Sequence, residues 1–169
     1  MAWTTQKRDW RVPDTVTNAA YLFAGWVLFN EGLVTSDVSL QVLGAALAVL
    51  SVGSGAYHWT RLEKDLLADE GGMYLVLGAL IGHLIGWPIA ATVAFCGLLM
   101  ALVGRLRLFP TTGALVAIAL VILLIQGAFL SSGVAAALFL ASLYVRERYA
   151  WGHSVWHCGT ALAVGAAAL

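Results

Sequence analysis

The chain has 169 residues, of which 61% are hydrophobic and 11% are charged, and its nine basic and nine acidic side chains cancel. A soluble domain has about a quarter of its residues charged and roughly half apolar, so this composition excludes a soluble globule and a disordered chain. The lack of a basic face excludes a nucleic-acid partner. All the charges fall in five short segments, 1–14, 31–37, 61–70, 105–107 and 146–148. We therefore expect a polytopic membrane protein.

The charge-free stretches set the number of predicted membrane spans. A spanning helix needs about 20 apolar residues, so the two longest stretches, 71–104 and 108–145, must each fold back on themselves. The first breaks at Pro88, which cannot continue a helix, and the second breaks after Gly127. This pattern predicts an all-α membrane protein, a seven-transmembrane-helix bundle with very short loops in a domain at 15–169, behind an N-terminal segment at 1–14. The predicted spans are 15–34, 38–60, 66–83, 87–104, 111–128, 133–148 and 150–168.

The basic residues indicate how this bundle is oriented. With seven spans, the N-terminal segment and the loops after the second, fourth and sixth spans share one side of the membrane, and all nine basic residues fall there. The other side carries only Glu31 and Asp37. The positive-inside rule then places the N-terminus in the cytoplasm and the C-terminus outside.

Five polar side chains fall at one depth of the predicted bundle, near its cytoplasmic face. Ser54 and His58 are one helical turn apart at the end of the second span, and His153 and His157 are one turn apart at the start of the seventh. Asp69 begins the third span. Three histidines are a ligand set of catalytic zinc, which keeps its fourth position for water. The pattern predicts Zn2+ on the histidines, with the aspartate to deprotonate the water and the serine to stabilise an oxyanion.

These residues lie in three motifs that closely resemble those of the alkaline ceramidase family. Residues 54–58 read SGAYH, residues 69–73 read DEGGM, and residues 153–157 read HSVWH, against family motifs S-x-x-[FY]-H, D-E-x-x-M and H-x-x-W-H. The eleven-residue gap between His58 and Asp69 matches as well. The resemblance implies the seven-helix fold of the CREST group of intramembrane hydrolases, Zn2+ on the three histidines, the aspartate as general base and the serine as transition-state stabiliser. It further implies hydrolysis of the amide bond of ceramide or a related long-chain N-acyl lipid.

Two features depart from the eukaryotic members of that family. Those members carry a Ca2+ site in an acidic cluster around an N-terminal Asp-Trp. Here Asp9, Trp10 and Asp14 are present, but Val12 and Phe23 stand where further acidic ligands are expected. The Ca2+ site is therefore doubtful, and the two aspartates have a solvated helix entry as their alternative role. The chain is also shorter, which suggests a prokaryotic member in a bacterial inner (plasma) membrane whose substrate need not be ceramide.

Other interpretations of the same residues stay open. A non-catalytic receptor or channel-like protein, of the progestin and adipoQ receptor or hemolysin III type, would hold zinc as a structural pin. Residues 53–55 are similar to the G-x-S-G of rhomboid serine proteases, but Val52 replaces the leading glycine. A proton-coupled transporter would use Asp69 and the histidines, yet paired broken helices are lacking. Histidines that only cap helix ends are the structural alternative to a metal site.

Four further side chains have expected places. Glu70 is either a partner of a metal ligand or a partner of Arg61. His83 falls at the outer end of the third span and is expected to be an interfacial residue. Trp156 lies between the paired histidines and is expected to form a wall of the site. The many glycines and alanines predict close helix packing and room for a lipid chain.

Overall fold

The computed structural model describes residues 11–60, 62–102, 108–149 and 152–169, and these ranges are helical with no strand. The predicted all-α class is therefore confirmed. The helices of these ranges are α1 Arg11–Thr17, α2 Ala19–Thr35, α3 Val38–Thr60, α4 Glu63–Leu84, α5 Ile89–Ala101, α6 Leu108–Ile125, α7 Phe129–Arg148 and α8 Gly152–Ala168.

The helix ends follow from local residue chemistry. Pro88 precedes the first residue of α5, and Gly127 adopts a φ of 77° after α6, a left-handed conformation that glycine tolerates. At the end of α2, Ser36 takes a φ of 60° and Asp37 then caps α3, accepting hydrogen bonds from the backbone N–H groups of Ser39 and Leu40. These turns keep consecutive helices antiparallel and the connections short.

The start of the first helical region differs from its prediction. The sequence places a polar N-terminal segment at 1–14, whereas α1 already begins at Arg11 and ends at Thr17, one residue before α2. Asn18 joins the two helices, and its side chain donates to the Asp14 carbonyl at 2.8 Å. Because Asn18 is almost fully buried, this joint lies inside the protein and not in solvent.

Two helices of the described ranges are long and apolar enough to cross a membrane, Val38–Thr60 and Phe129–Arg146. Shorter apolar helices are Ile89–Ala101 and Ala114–Ile125. The remaining helices are shorter or carry more polar residues. By length and composition the chain therefore has two candidate spans among the residues that the structure describes.

Glycines bring the helices into direct backbone contact, as the sequence predicts. A Cβ atom added to Gly25 of α2 would lie 2.6 Å from the carbonyl oxygen of Gly44 in α3, and one added to Gly44 would lie 2.5 Å from the Gly25 oxygen. A Cβ atom added to Gly72 of α4 would likewise lie 2.8 Å from the Cα atom of Leu50 in α3. Side chains at these crossings would force the helices apart.

The arrangement of α1, α3 and α8 positions the candidate site. Helix α8 packs against α7, α2 and α1 and also contacts α4, while α1 lies across α3 and α8. The C-terminal end of α3 and the N-terminal end of α8 therefore meet at one end of the bundle, beside α1. The opposite end brings together the start of α3, the end of α4 and the end of α8.

Candidate metal centre

The structure brings His58, His153 and His157 together. His58 lies in the last turn of α3, and the other two lie in the first two turns of α8. One ring nitrogen from each residue lies within 4.8 Å of the other two. The three pairs of ring centroids are separated by 4.5, 4.9 and 4.7 Å. The group of histidines predicted from the sequence is therefore close enough to hold a metal ion.

The donor set fits a tetrahedral metal. Two nitrogens bound to one zinc at about 2.0–2.1 Å lie roughly 3.4 Å apart in tetrahedral geometry, so small ring rotations bring this group into position. His58 and His157 are almost fully buried, with 1% and 2% of their surfaces exposed, and His153 is partly buried. The Nε2 atoms of His58 and His153 lie 2.9 Å apart. One of the two must carry the proton of this hydrogen bond, and metal binding would displace that proton.

His157 has two neighbours from the first helices that the sequence interpretation missed. The Oγ1 of Thr17 in α1 lies 3.0 Å from His157 Nδ1. The ring of Tyr21 in α2 packs against the imidazole with centroids 5.7 Å apart. Thr17 and Tyr21 are one helical turn apart, and this spacing is the only signal in the sequence that could have paired them.

Ser54 lies one turn before His58 on α3, as predicted, and only 2% of its surface is exposed. The neighbouring Gly53 has no room for a side chain, because a Cβ there would lie 2.8 Å from the Ala68 oxygen and 3.4 Å from the Asp69 nitrogen. The backbones of α3 and α4 therefore touch beside the serine.

Asp69 lies in α4, where its backbone nitrogen is near Gly53 of α3. Its side chain is partly buried. Glu70 is partly buried as well, and Arg61, its possible partner, lies outside the described residues.

Among the residues that the structure describes, the acidic side chains near the N-terminus form no group that could bind Ca2+. Asp9 and Trp10 lie outside the residues that the structure describes. Asp14 is 5% exposed and its Oδ1 accepts a hydrogen bond from Ser154 Oγ at 2.9 Å. The expectation of a solvated helix entry is wrong for Asp14, because α1 packs this carboxylate against α8. Across the described ranges, the group of at least three potential metal ligands is the histidine group.

His83 is far from the three histidines in the fold, at the opposite end of the bundle. Its Nδ1 lies 2.7 Å from Ser39 Oγ and 3.8 Å from Asp37 Oδ2, and its Nε2 lies 3.2 Å from the Ala168 carbonyl oxygen. The ring joins α3, α4 and α8 at that end. The position of His83 away from the three histidines agrees with the prediction. Its hydrogen-bonded cluster with Asp37 and Ser39 is not evident from the sequence.

An apolar cavity lies between α4, α6, α7 and α8, and its lining includes Tyr21, whose ring packs against His157. Its lining is almost entirely aliphatic and aromatic. Tyr21, Met73 and Trp156 line the end next to His157, and Ala167 lines the far end. The two ends are about three turns of α8 apart, or about 16 Å. Trp156, which lies between His153 and His157 in the sequence, is therefore part of the cavity lining.

Comparison with known proteins gives no match, whether with family models, curated proteins or solved structures. The chemistry of the site therefore has to be inferred from its own residues.

Proposed function

We propose that the protein is a zinc-dependent intramembrane amidohydrolase, which cleaves the amide bond of ceramide or a related long-chain N-acyl lipid. The observation that carries this proposal is the group of three histidines, one of which, His157, packs against Tyr21, a residue that also lines an apolar cavity. A group that could hold a metal ion, near an apolar cavity, suits a substrate with a polar amide and a long acyl chain.

The setting of the proposed site is a seven-helix bundle in a membrane. Its exterior supports this setting, because large apolar side chains are exposed along several helices. Phe23, Val52, Ile125 and Leu130 each have between 66% and 81% of their surfaces exposed. In α7, which is a candidate span, 17% of the apolar window is buried within the protein. With the basic residues on one side, the N-terminus would lie in the cytoplasm of a prokaryotic cell, with the metal site near that side of the inner membrane.

The cavity supports a long apolar chain as part of the substrate. Its walls are aliphatic and aromatic over most of its length, and each methylene group buried there contributes about 0.8 kcal/mol to binding. Polar hydroxyl groups of Tyr21 and Thr160 lie 2.6 Å apart in the wall near the histidines. An acyl chain would occupy the apolar part, which leaves its amide group beside the three imidazoles.

The residues of the chain supply distinct parts of the proposed reaction. Zinc held by the three histidines would supply a Lewis acid and a bound water that ionises near neutral pH. Asp69 would accept a proton from the attacking water and return it to the leaving nitrogen. The Ser54 hydroxyl would donate a hydrogen bond to the carbonyl oxygen as negative charge develops there. A C–O bond forms, the amide C–N bond breaks, and the products are a fatty acid and an amine.

The direct test is lipid hydrolysis by the purified protein and its Asp69→Asn variant. The test uses a panel of N-acyl lipids that differ in headgroup and chain length, with fatty-acid release as the readout. We expect cleavage by the wild type and a loss of about 10²–10⁴-fold in Asp69→Asn with zinc retained, as for removal of a general base. Asp65→Asn, one turn earlier on the same helix, is the matched control and should stay active.

Two results would contradict the enzyme proposal. If the wild type cleaves no lipid amide but binds zinc, the protein is a receptor or channel-like member with a structural metal. If Asp69→Asn cleaves as fast as the wild type, Asp69 is not the base and the proposed mechanism is wrong.

A further inference from the structure

Two hydrogen bonds join α1 to the helix that carries two of the three histidines. Asp14 Oδ1 accepts from Ser154 Oγ at 2.9 Å, and Thr17 Oγ1 lies 3.0 Å from His157 Nδ1. Asp14 and Thr17 are three residues apart on α1, and Ser154 and His157 are three residues apart on α8. Residues at this spacing share one face of a helix. One face of α1 therefore meets the metal-ligand face of α8 at two matched positions.

The hydroxyl of Thr17 is already used as a donor within α1. Its Oγ1 lies 2.9 Å from the Pro13 carbonyl oxygen and 3.1 Å from the Asp14 carbonyl oxygen. A carbonyl oxygen only accepts, and a hydroxyl has one proton to donate. With that proton directed to α1, Thr17 Oγ1 can only accept from His157. We therefore assign the Nδ1–H of His157 as the donor of the 3.0 Å bond.

This direction determines the tautomer of His157. A neutral imidazole that carries its proton on Nδ1 has its lone pair on Nε2. A metal ion needs that lone pair. The contact with Thr17 therefore holds the ring in the form that binds a metal through Nε2, and it also limits rotation of the ring. Hydrogen-bond partners of metal-bound histidines act in this way.

The position of α1 is itself held by buried contacts. The Ser51 hydroxyl of α3 donates to the Asn18 carbonyl oxygen at 2.8 Å, directly after α1. The Asn18 amide donates to the Asp14 carbonyl oxygen at 2.8 Å. Asp14 then engages Ser154 on α8. Helix α1 is therefore anchored to both helices that supply histidines, and its hydroxyl is held at a fixed place.

We propose that Thr17 is a positioning residue for the metal ligand His157, and that the bond from Ser154 to Asp14 holds α1 in the register that this role requires. The inference rests on the metal site of the proposed function, but not on lipid hydrolysis. Thr17 is the last residue of α1 and falls at the start of the first predicted span, 15–34. Removing such a partner lowers metal affinity by about 10–100-fold in characterised sites.

The test measures zinc affinity of the full-length protein by competition with a chromophoric chelator. Thr17→Val keeps the shape of the side chain and removes the acceptor, so we expect zinc to bind about 10–100-fold more weakly. Thr17→Ser retains the hydroxyl and should recover most of the affinity. Thr35→Val is the matched control, because Thr35 Oγ1 makes the same bond four residues back, to the Glu31 oxygen at 2.8 Å, on an exposed part of α2.

A second measurement separates positioning from general loss of stability. Thermal unfolding is followed with and without zinc, since a ligand that binds the folded state raises the melting temperature according to its affinity. Thr17→Val should narrow the difference between the two melting temperatures, with a small change in the metal-free protein. Unchanged zinc affinity in Thr17→Val, or no recovery in Thr17→Ser, would overturn the inference while leaving the zinc site intact. Absence of zinc binding by the wild type would overturn both.

Discussion

The two ends of the bundle each hold a histidine bonded through Nδ1 to a hydroxyl group, but the rings differ in what meets their other side. At one end, His157 has Thr17 on Nδ1 and lies in a group of three imidazoles. At the other, His83 has Ser39 on Nδ1 and the Ala168 carbonyl on Nε2. Both nitrogens of His83 are therefore engaged by protein groups that join helices. His157, by contrast, lies in the group of three histidines that could hold a metal ion.

The two ends also differ in how far their carboxylates are exposed to solvent. Beside His83, the Asp37 carboxylate accepts from the Ser39 hydroxyl at 2.5 Å, and its side chain is 37% exposed. Beside the three histidines, the Asp14 carboxylate is 5% exposed and faces α8 through Ser154. An exposed carboxylate that caps a helix tolerates water, whereas a buried one requires a matched donor. The carboxylate at the end with the three histidines therefore has the more restricted position of the two.

The largest expected effect comes from removing histidines at one end or the other. In the His153→Ala, His157→Ala double variant, one imidazole of the group remains, and zinc measured by mass spectrometry of the purified protein should fall to background. His83→Ala removes the histidine of the other end and should leave the zinc content unchanged. Zinc retained by the double variant, or lost from His83→Ala, would reverse the assignment of the two ends.

A smaller effect on stability and zinc affinity is expected from replacing the serine near the histidines at each end, Ser154 or Ser39. Ser154→Ala removes the donor to a buried carboxylate, and a hydrogen bond to a charged group contributes about 1.5–3 kcal/mol. We expect this variant to be less stable to heat and to bind zinc more weakly, by less than Thr17→Val. Ser39→Ala, at the other end, should lower stability without changing zinc affinity. Equal zinc affinities in both serine variants would show that α1 is not coupled to the metal site.

The smallest expected effect is on stability at acidic pH, and it arises at the His83 end. The Ser39 hydroxyl, with the Leu40 and Ser39 backbone N–H groups, holds the pKa of Asp37 below its usual value, and His83 lies 3.8 Å away. A lowered pKa in the folded state stabilises the fold above the unfolded pKa of about 3.9, and this contribution is lost as the pH falls through the folded value. Asp37→Asn should therefore show a shallower loss of melting temperature below about pH 4. The difference should be small, because Asp37 is partly exposed and solvent screens its interactions. A steeper acid dependence in Asp37→Asn would contradict this sign.

Local patterns allowed the helical class and the histidine group to be predicted. Pro88 and Gly127 divide the two long apolar stretches, and the structure ends or begins helices close to both. The four-residue spacing of His153 and His157 places them on one face, and the alternating direction of the helices brings His58 to the same end. These features depend on a helical period and on chain direction, which are both readable from one sequence.

The role of α1 could not be predicted in the same way. Thr17 and His157 are 140 residues apart, and so are Asp14 and Ser154. Nothing local in the sequence marks either pair, because threonine and aspartate are ordinary residues near the start of a helix. Their pairing depends on how α1 crosses α8, which is a property of the packed bundle. The charged and polar character of 1–14 favoured a solvated segment, whereas Asp14 and Asn18 are buried.

The same separation along the chain has a consequence for biosynthesis. His58 is made early, and the other two histidines follow only with α8. A chain in which only α1 to α7 have folded therefore carries one of the three imidazoles and none of the contacts from Ser154 or His157. The three histidines come together only when α8 packs beside α1 and the end of α3. If the group holds zinc as proposed, loading with metal would require α8, and truncation before α8 should lower the zinc content to background.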